Sequence, residues 1–179
     1  MRSIEPILGK LARAQAGLLR AADAVSADRW KSNPREGAWS AGELVAHLIM
    51  VERAVIGRAD RMTQKPAKPT SLLKRFHLPL ALVESRLVRR KTPIPLDPQL
   101  LREKEAMLAE LRDVRERTLA FLDETKNRDL SAYSWPHAFI GTLNFYEWFQ
   151  MIASHELRHT KQMQEIAATL PKTVATLQK

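Results

Sequence analysis

Apolar residues along this chain recur at steps of three and four residues, which is the period of an α-helix with one buried face. The pattern predicts four long helices, from about Glu5 to Val25, Ser40 to Arg61, Asp97 to Thr125 and Asn144 to just before Pro171. The Val, Ile and Thr alternation of strands is missing from these stretches. We therefore predict an all-α protein, and the abundance of Leu, Ala, Arg, Lys and Glu favours the same class.

Three of the predicted helices start at residues that are typical of N-caps. The sequence SAGE at 40–43 has the form of a capping box, in which a serine and a glutamate side chain each accept a backbone amide hydrogen. The sequence NFYE at 144–147 can cap the last helix in the same way. Asp97 followed by Pro98 predicts an N-cap with proline at the first helical position.

Prolines separate the second helix from the third, so no long helix fits between residues 63 and 98. They are Pro66, Pro69, Pro79, Pro93, Pro95 and Pro98. A short helix from about Leu80 to Arg89 is compatible with their spacing. We predict a four-helix bundle with a long Pro-rich basic crossover between helices 2 and 3, forming a single domain over residues 1–179.

Basic residues are concentrated in that crossover, which carries much of the net charge of +9. Between 64 and 91, Glu84 is the only carboxylate, and the basic residues are Lys65, Lys68, Lys74, Arg75, Arg86, Arg89, Arg90 and Lys91. Such a segment can attract phosphates or an acidic protein surface, or it can simply be a solvated loop. No recognised nucleic-acid motif accompanies it.

The chain contains no cysteine, which excludes disulfides, thiolate metal ligands and a thiol nucleophile. Glu5 and Lys10 interrupt the apolar run that a signal peptide would need, and no stretch is apolar enough to span a membrane. We therefore expect a cytoplasmic protein that does not bind membranes.

Three histidines fall on inward helix faces. His155 and His159 are one turn apart within the apolar stripe of the last helix, and His47 lies three residues after Leu44 and four before Val51. Buried polar side chains cost free energy unless they have partners, and a metal ion is one such partner. Neutral imidazole binds zinc, nickel, copper or ferrous iron. The pattern predicts one divalent metal bound by these three side chains, with further coordination positions open to water or substrate.

Other interpretations of the histidines stay open from the sequence alone. Each could be a hydrogen-bonded core residue, and HELRH also fits the HExxH pattern of zinc proteases, although no third downstream ligand is evident. Glu156 and Arg158 are predicted to face solvent. We expect His77 to be exposed in the crossover. His137 is expected to pack within its loop, and the alternative is that it approaches the mouth of the site.

Two segments resemble the DinB-like (damage-inducible B) superfamily. GAWSAGELVAHLIMVE, at 37–52, resembles its second-helix motif, and WPHAFIGTLNFYEWFQMIASHELRHTKQM, at 135–163, resembles its closing motif with an H-x-x-x-H pair and the nearby Gln162. One departure is Pro136-His137, because the family loop more often has histidine before proline. The resemblance implies a four-helix bundle, usually a homodimer, with His47, His155 and His159 as metal ligands.

The resemblance also implies chemistry, since the superfamily includes thiol-dependent transferases and isomerases, together with members classed as metal-dependent hydrolases. The leading hypothesis is an enzyme whose metal activates water or a small thiol against a small-molecule substrate; zinc or nickel is expected first, with iron or manganese as alternatives. No catalytic residue is identified: Glu43, one turn before His47, is explained by its cap. The alternative is a non-enzymatic helical module that binds an acidic or nucleic-acid partner through residues 64–91.

Overall fold

The computed structural model describes residues 3–67, 77–84 and 101–169. The helices are α1 (Glu5–Asp23), α2 (Ala41–Thr63), α3 (Ala81–Glu84), α4 (Lys104–Thr125) and α5 (Phe145–Thr169). A two-stranded hairpin, β1 (Ser134–His137) and β2 (Gly141–Asn144), precedes α5, and a single 3₁₀ turn lies at Ala27–Arg29. Within these ranges no helix is long and apolar enough to cross a membrane.

The four long helices form a bundle, as predicted. α1 packs mainly against α5 and α2 mainly against α4, while α2 also contacts α5 across the bundle. Side chains from all four helices that are almost fully buried include Leu11, Leu18, Leu44, Leu111, Leu122 and Phe149. Burying each such side chain contributes roughly 1.5–3 kcal/mol to the free energy of folding. The apolar stripes therefore account for the packing of the four helices.

Capping boxes start the two helices that carry the candidate histidines. The Glu43 amide donates to Ser40 Oγ at 3.2 Å, and the Ser40 amide donates to Glu43 Oε2 at 2.7 Å. At the start of α5 the Glu147 amide donates to Asn144 Oδ1 at 3.1 Å, and the Asn144 amide donates to Glu147 Oε2 at 2.8 Å. Both predicted boxes are confirmed, and both glutamates are held by them.

The start of α4 differs from the prediction. Residues 101–103 are not helical, and the N-cap of α4 is Glu103 in extended conformation. Asp97 and Pro98 lie outside the described residues, but Asp97 is not the cap of this helix. Leu101, just before the helix, packs against an apolar cluster to which all four long helices contribute.

The aromatic segment predicted as a loop forms a short antiparallel hairpin. Trp135 pairs with Leu143, and both side chains are buried against the bundle. Gly141 has a φ of 101°, which favours glycine, and it also forms a bridge with His77. Each strand has only four residues, and a period-2 pattern that short is not distinguishable from a loop by sequence.

The part of the crossover that contains α3 lies against the bundle. Lys10 Nζ on α1 is 2.6 Å from Glu84 Oε1 on α3 and 2.7 Å from Ser154 Oγ on α5. The helix α3, Ala81–Glu84, falls within the helix predicted from Leu80 to Arg89; Leu80 itself is in a turn, and residues 85–89 lie outside the described residues.

Candidate metal centre

The structure brings together the three histidines that the sequence singled out. His155 Nε2 lies 3.2 Å from His47 Nε2 and 3.1 Å from His159 Nε2. All three potential ligand atoms are within 4.8 Å of one another. His47 and His159 are buried and His155 is partly exposed, so the cluster is lined by protein and is reachable from one side.

The spacing of the nitrogens fits a metal ion. Zinc binds imidazole nitrogen at about 2.0–2.1 Å, so two such ligands on one ion lie roughly 3.0–3.4 Å apart for octahedral or tetrahedral angles. The two separations that involve His155 already fall in this range. Two ligands from one turn of α5 and a third from α2 would occupy one side of the ion and leave its other positions open.

Hydrogen bonding among the rings does not satisfy the cluster. A neutral imidazole has one N–H and one lone pair, and His155 Nε2 can present only one of them to its two neighbours. One of the two short contacts therefore cannot be a proper hydrogen bond. His47 Nδ1 is also buried without a hydrogen-bond partner among the described residues, and a ligand at Nε2 would not change this. A cation between the three Nε2 atoms would accept the lone pairs of all three rings.

Gln162 orients one of the rings. Its Oε1 lies 3.1 Å from His159 Nδ1, and an amide oxygen can only accept a hydrogen bond there. With the Gln162 amide in this orientation, the proton of His159 is assigned to Nδ1, which leaves the Nε2 lone pair directed into the cluster. This arrangement is typical of metal-binding histidines, whose second ring nitrogen is usually held by a carbonyl or carboxylate oxygen.

Burial favours the neutral form of two of the three rings. Burial lowers the pKa of His47 from 6.5 to about 4. Burial, reinforced by the charges of His159 and His47, holds the pKa of His155 well below 6.5. Neutral imidazole is the form that binds metals, so His47 and His155 are in the state that a metal ligand requires near pH 7.

Trp39 forms one wall of the cluster. Its ring centroid is 4.9 Å from that of His47 and 6.2 Å from that of His159. Trp39 also lines an open groove of 470 Å³, together with Asn33, Arg35, Glu36, Gly37, Ala38 and Glu43. The same side chain thus borders both the histidines and a concave surface on the loop before α2.

The two other histidines lie apart from this set. His137 on β1 packs against Trp148 with ring centroids 5.3 Å apart, and its Nδ1 accepts the Phe139 amide at 3.1 Å. Burial lowers its pKa, and its charge is close enough to contribute to the lowered pKa of His155. His77 Nε2 lies 3.3 Å from Glu147 Oε1, at the start of α5.

The prediction that Glu156 faces solvent is wrong. Glu156 is only 2% exposed, and its Oε2 lies 2.9 Å from Arg115 Nη2. Burial raises the pKa of Glu156 to about 7, although the charge of Arg115 opposes this rise. A carboxylate bound to an arginine in the bundle interior does not suit the role of general base that the HExxH interpretation requires.

Arg115 and Glu52 were missed by the sequence reasoning. Arg115 is 2% exposed and Glu52 is 3% exposed, although both are charged. A signal was present: Glu52 lies between Leu48 and Val55 on the inward face of α2, and Arg115 follows Leu111 by four residues on α4. Charged residues at inward positions on two different helices can indicate a buried ion pair.

Of the basic residues in the crossover, Lys65 is described and is exposed, and the other seven lie outside the described residues.

Comparison with known proteins identifies the family to which the chain belongs. The chain resembles a crystal structure described as TT2238, a four-helix bundle protein, with a TM-score of 0.57, 22% identity, and coverage of 91% of this chain and 99% of that chain. This likeness concerns the fold. No curated protein matches the chain in sequence. The family model of the DinB superfamily matches residues 10–163. The chain therefore belongs to the DinB superfamily, as its two motifs predicted.

Proposed function

We propose that His47, His155 and His159 bind one divalent metal ion through Nε2, and that the protein is a metal-dependent enzyme acting on a small molecule. The observation that carries the proposal is the convergence of three Nε2 atoms whose contacts cannot all be hydrogen bonds. Zinc or nickel suits three neutral imidazoles, with iron or manganese as alternatives. A divalent metal held there would supply Lewis acidity, which lowers the pKa of a coordinated water or thiol.

The side chains around the proposed metal determine its charge environment and the shape of the site. Three neutral ligands leave the full positive charge of the ion available to polarise a fourth ligand. Gln162 fixes the orientation of His159, and Trp39 closes one side with an apolar ring. Hydrolysis and thiol S-transfer both fit these residues, because they differ in the nucleophile and not in how the metal is held.

Metal content tests the proposal directly. The protein is purified without a histidine tag, loaded separately with zinc, nickel, iron and manganese, dialysed, and measured by elemental mass spectrometry beside His47→Ala, His155→Ala and His77→Ala. We expect about one metal per chain in the wild type and in His77→Ala, and almost none in the two cluster variants. Light scattering on the same samples tests the expected homodimer.

Two results would contradict the proposal. Metal retained by both cluster variants would refute the assignment of the ligands, and no binding by any sample would refute the metal site itself. If the metal binds as expected, consumption of small thiols by alkyl electrophiles is compared with hydrolysis of small esters and amides, in each case with and without a chelator. The reaction that the chelator abolishes identifies the nucleophile.

A further inference from the structure

A second buried polar cluster, which we call the arginine cluster, consists of Glu52, Arg115 and Glu156 with Thr118. Arg115 Nε donates to Glu52 Oε1 at 2.8 Å, and Nη2 donates to Glu52 Oε2 at 3.0 Å and to Glu156 Oε2 at 2.9 Å. Arg115 Nη1 donates to the Leu11 carbonyl at 2.7 Å. One guanidinium therefore contacts α1, α2 and α5 from its place on α4.

The arginine cluster is attached to the helices that carry the histidines. Glu156 directly follows His155 on α5, and Glu52 lies five residues after His47 on α2. Arg115 joins the two carboxylates. It thereby fixes the separation and rotation of α2 relative to α5 within two helical turns of the histidines.

Stability alone is a weak explanation for this arrangement. Buried ion clusters can often be replaced by apolar residues without loss of stability, because desolvation of the charges offsets their attraction. An arginine fork instead fixes geometry, because its two parallel N–H groups bind a carboxylate in one orientation only. A metal site depends on fixed geometry, because its ligands must stay within about 0.5 Å of their positions.

We propose that Glu52, Arg115 and Glu156 are positioning residues for the three-histidine site: the arginine fork between α2 and α5 holds His47 in register with His155 and His159. This inference rests on the proposed metal site. Thr118 supports the fork, because its hydroxyl donates to Glu52 Oε1 at 2.5 Å and so leaves that carboxylate only one orientation. The cluster contributes no ligand of its own.

The first variant is Arg115→Lys, which keeps the charge but cannot bind two carboxylates as a fork. Zinc affinity is measured by competition with a chromophoric chelator, and circular dichroism verifies the fold at the same temperature. We expect zinc to bind about 10–100-fold more weakly, the range found when supporting partners of metal ligands are removed. The cobalt-loaded variant should also show a changed d–d absorption spectrum, which reports ligand geometry.

Two controls separate positioning from loss of stability. Leu108→Ala removes a buried side chain of α4 outside the arginine cluster, and it should lower stability while leaving zinc affinity and the cobalt spectrum unchanged. The triple variant Glu52→Leu, Arg115→Met, Glu156→Leu replaces the ions with apolar side chains. We expect it to bind zinc about 10–100-fold more weakly while its helix content is retained.

The results distinguish the two proposals. Equal zinc affinity and identical cobalt spectra in the wild type and Arg115→Lys would overturn the positioning role and leave the metal site intact. The same weakening in Leu108→Ala as in Arg115→Lys would also overturn it, because the effect would then be global. A wild-type protein that binds no metal would overturn both proposals.

Discussion

The three-histidine cluster and the arginine cluster both lie between α2 and α5, yet they are satisfied in different ways. In the arginine cluster the donors of Arg115 reach carboxylate or carbonyl oxygens at 2.7–3.0 Å. In the histidine cluster, nitrogen faces nitrogen at 3.1 and 3.2 Å. Each cluster also has one buried atom without a hydrogen-bond partner among the described residues, Glu156 Oε1 in the first and His47 Nδ1 in the second. The difference between the clusters is therefore that donors meet acceptors in the first, whereas ring nitrogens converge on one another in the second.

The pairing of donors and acceptors distinguishes the two clusters better than their burial does. Most side chains of both clusters are less than 10% exposed, so exposure does not separate them. Donor and acceptor chemistry does: a guanidinium brings only donors to carboxylates that bring only acceptors, while His155 Nε2 has two nitrogen neighbours and can form a proper hydrogen bond with only one of them. Four measurements test this contrast, beginning with the greatest predicted change.

Removing the arginine should have the largest effect on stability. Arg115→Met leaves Glu52 and Glu156 buried without their partner, and we expect it to lower the free energy of unfolding by about 3–5 kcal/mol. Urea denaturation measures this loss. The control is Arg53→Met, which breaks a pair of 2.6 Å between Glu110 and an arginine that is 43% exposed, and should cost about 0–1 kcal/mol. Equal losses would contradict the assignment of the arginine cluster.

Adding metal should stabilise only a protein with an intact histidine cluster. At a zinc concentration about 100-fold above the dissociation constant, we expect the wild-type free energy of unfolding to rise by about 2.7 kcal/mol. His159→Ala should show no rise, and a chelator should reverse the effect in the wild type. Thermal unfolding with and without zinc provides the measurement. Equal stabilisation of both proteins would place the metal elsewhere.

Removing the oxygen that orients His159 should weaken the metal site without unfolding the protein. Gln162→Ala frees the ring to rotate, and we expect zinc affinity to fall about 10–100-fold, or about 1.4–2.7 kcal/mol. Chelator competition measures the change. Gln64→Ala is the matched control, because the Gln64 side-chain amide binds Asp60 on the surface at the end of α2. An unchanged affinity in Gln162→Ala would show that the ring is fixed by packing.

Removing a helix cap should have the smallest effect, and it should act on stability alone. Ser40→Ala breaks the capping box of α2 and should lower the free energy of unfolding by about 1 kcal/mol. The control is Ser26→Ala, because Ser26 is an N-cap whose side chain makes no capping hydrogen bond. Urea denaturation compares the two. A loss of zinc affinity in Ser40→Ala would mean that the start of α2 also positions His47.

Local signals were enough to predict much of this molecule. The period of the apolar stripes predicted the four long helices and placed His47, His155 and His159 on inward faces. The two capping boxes were recognisable because all of their groups lie within four residues of one another. These features depend on neighbours along one helix, and a sequence contains that information directly.

Features that depend on two elements at once were predicted poorly. Glu156 was expected in solvent, because on its own helix nothing indicates a partner. The partner, Arg115, comes from α4 and is 41 residues away in sequence. The hairpin was missed because its four-residue strands are too short for a recognisable period-2 pattern. At the start of α4 and in the hairpin, Leu101 and Trp135 pack against residues that are distant in sequence.

The helices, their caps and the inward direction of the three histidines are properties of the amino-acid sequence alone, because backbone periodicity and short-range hydrogen bonds are local. Two other features arise only when the helices pack. The Nε2 atoms of His47 on α2 and His155 on α5 meet at 3.2 Å, and a guanidinium from α4 lies between Glu52 and Glu156. Both depend on the rotation and spacing of packed helices, which follow from how all the side chains in the core fit together.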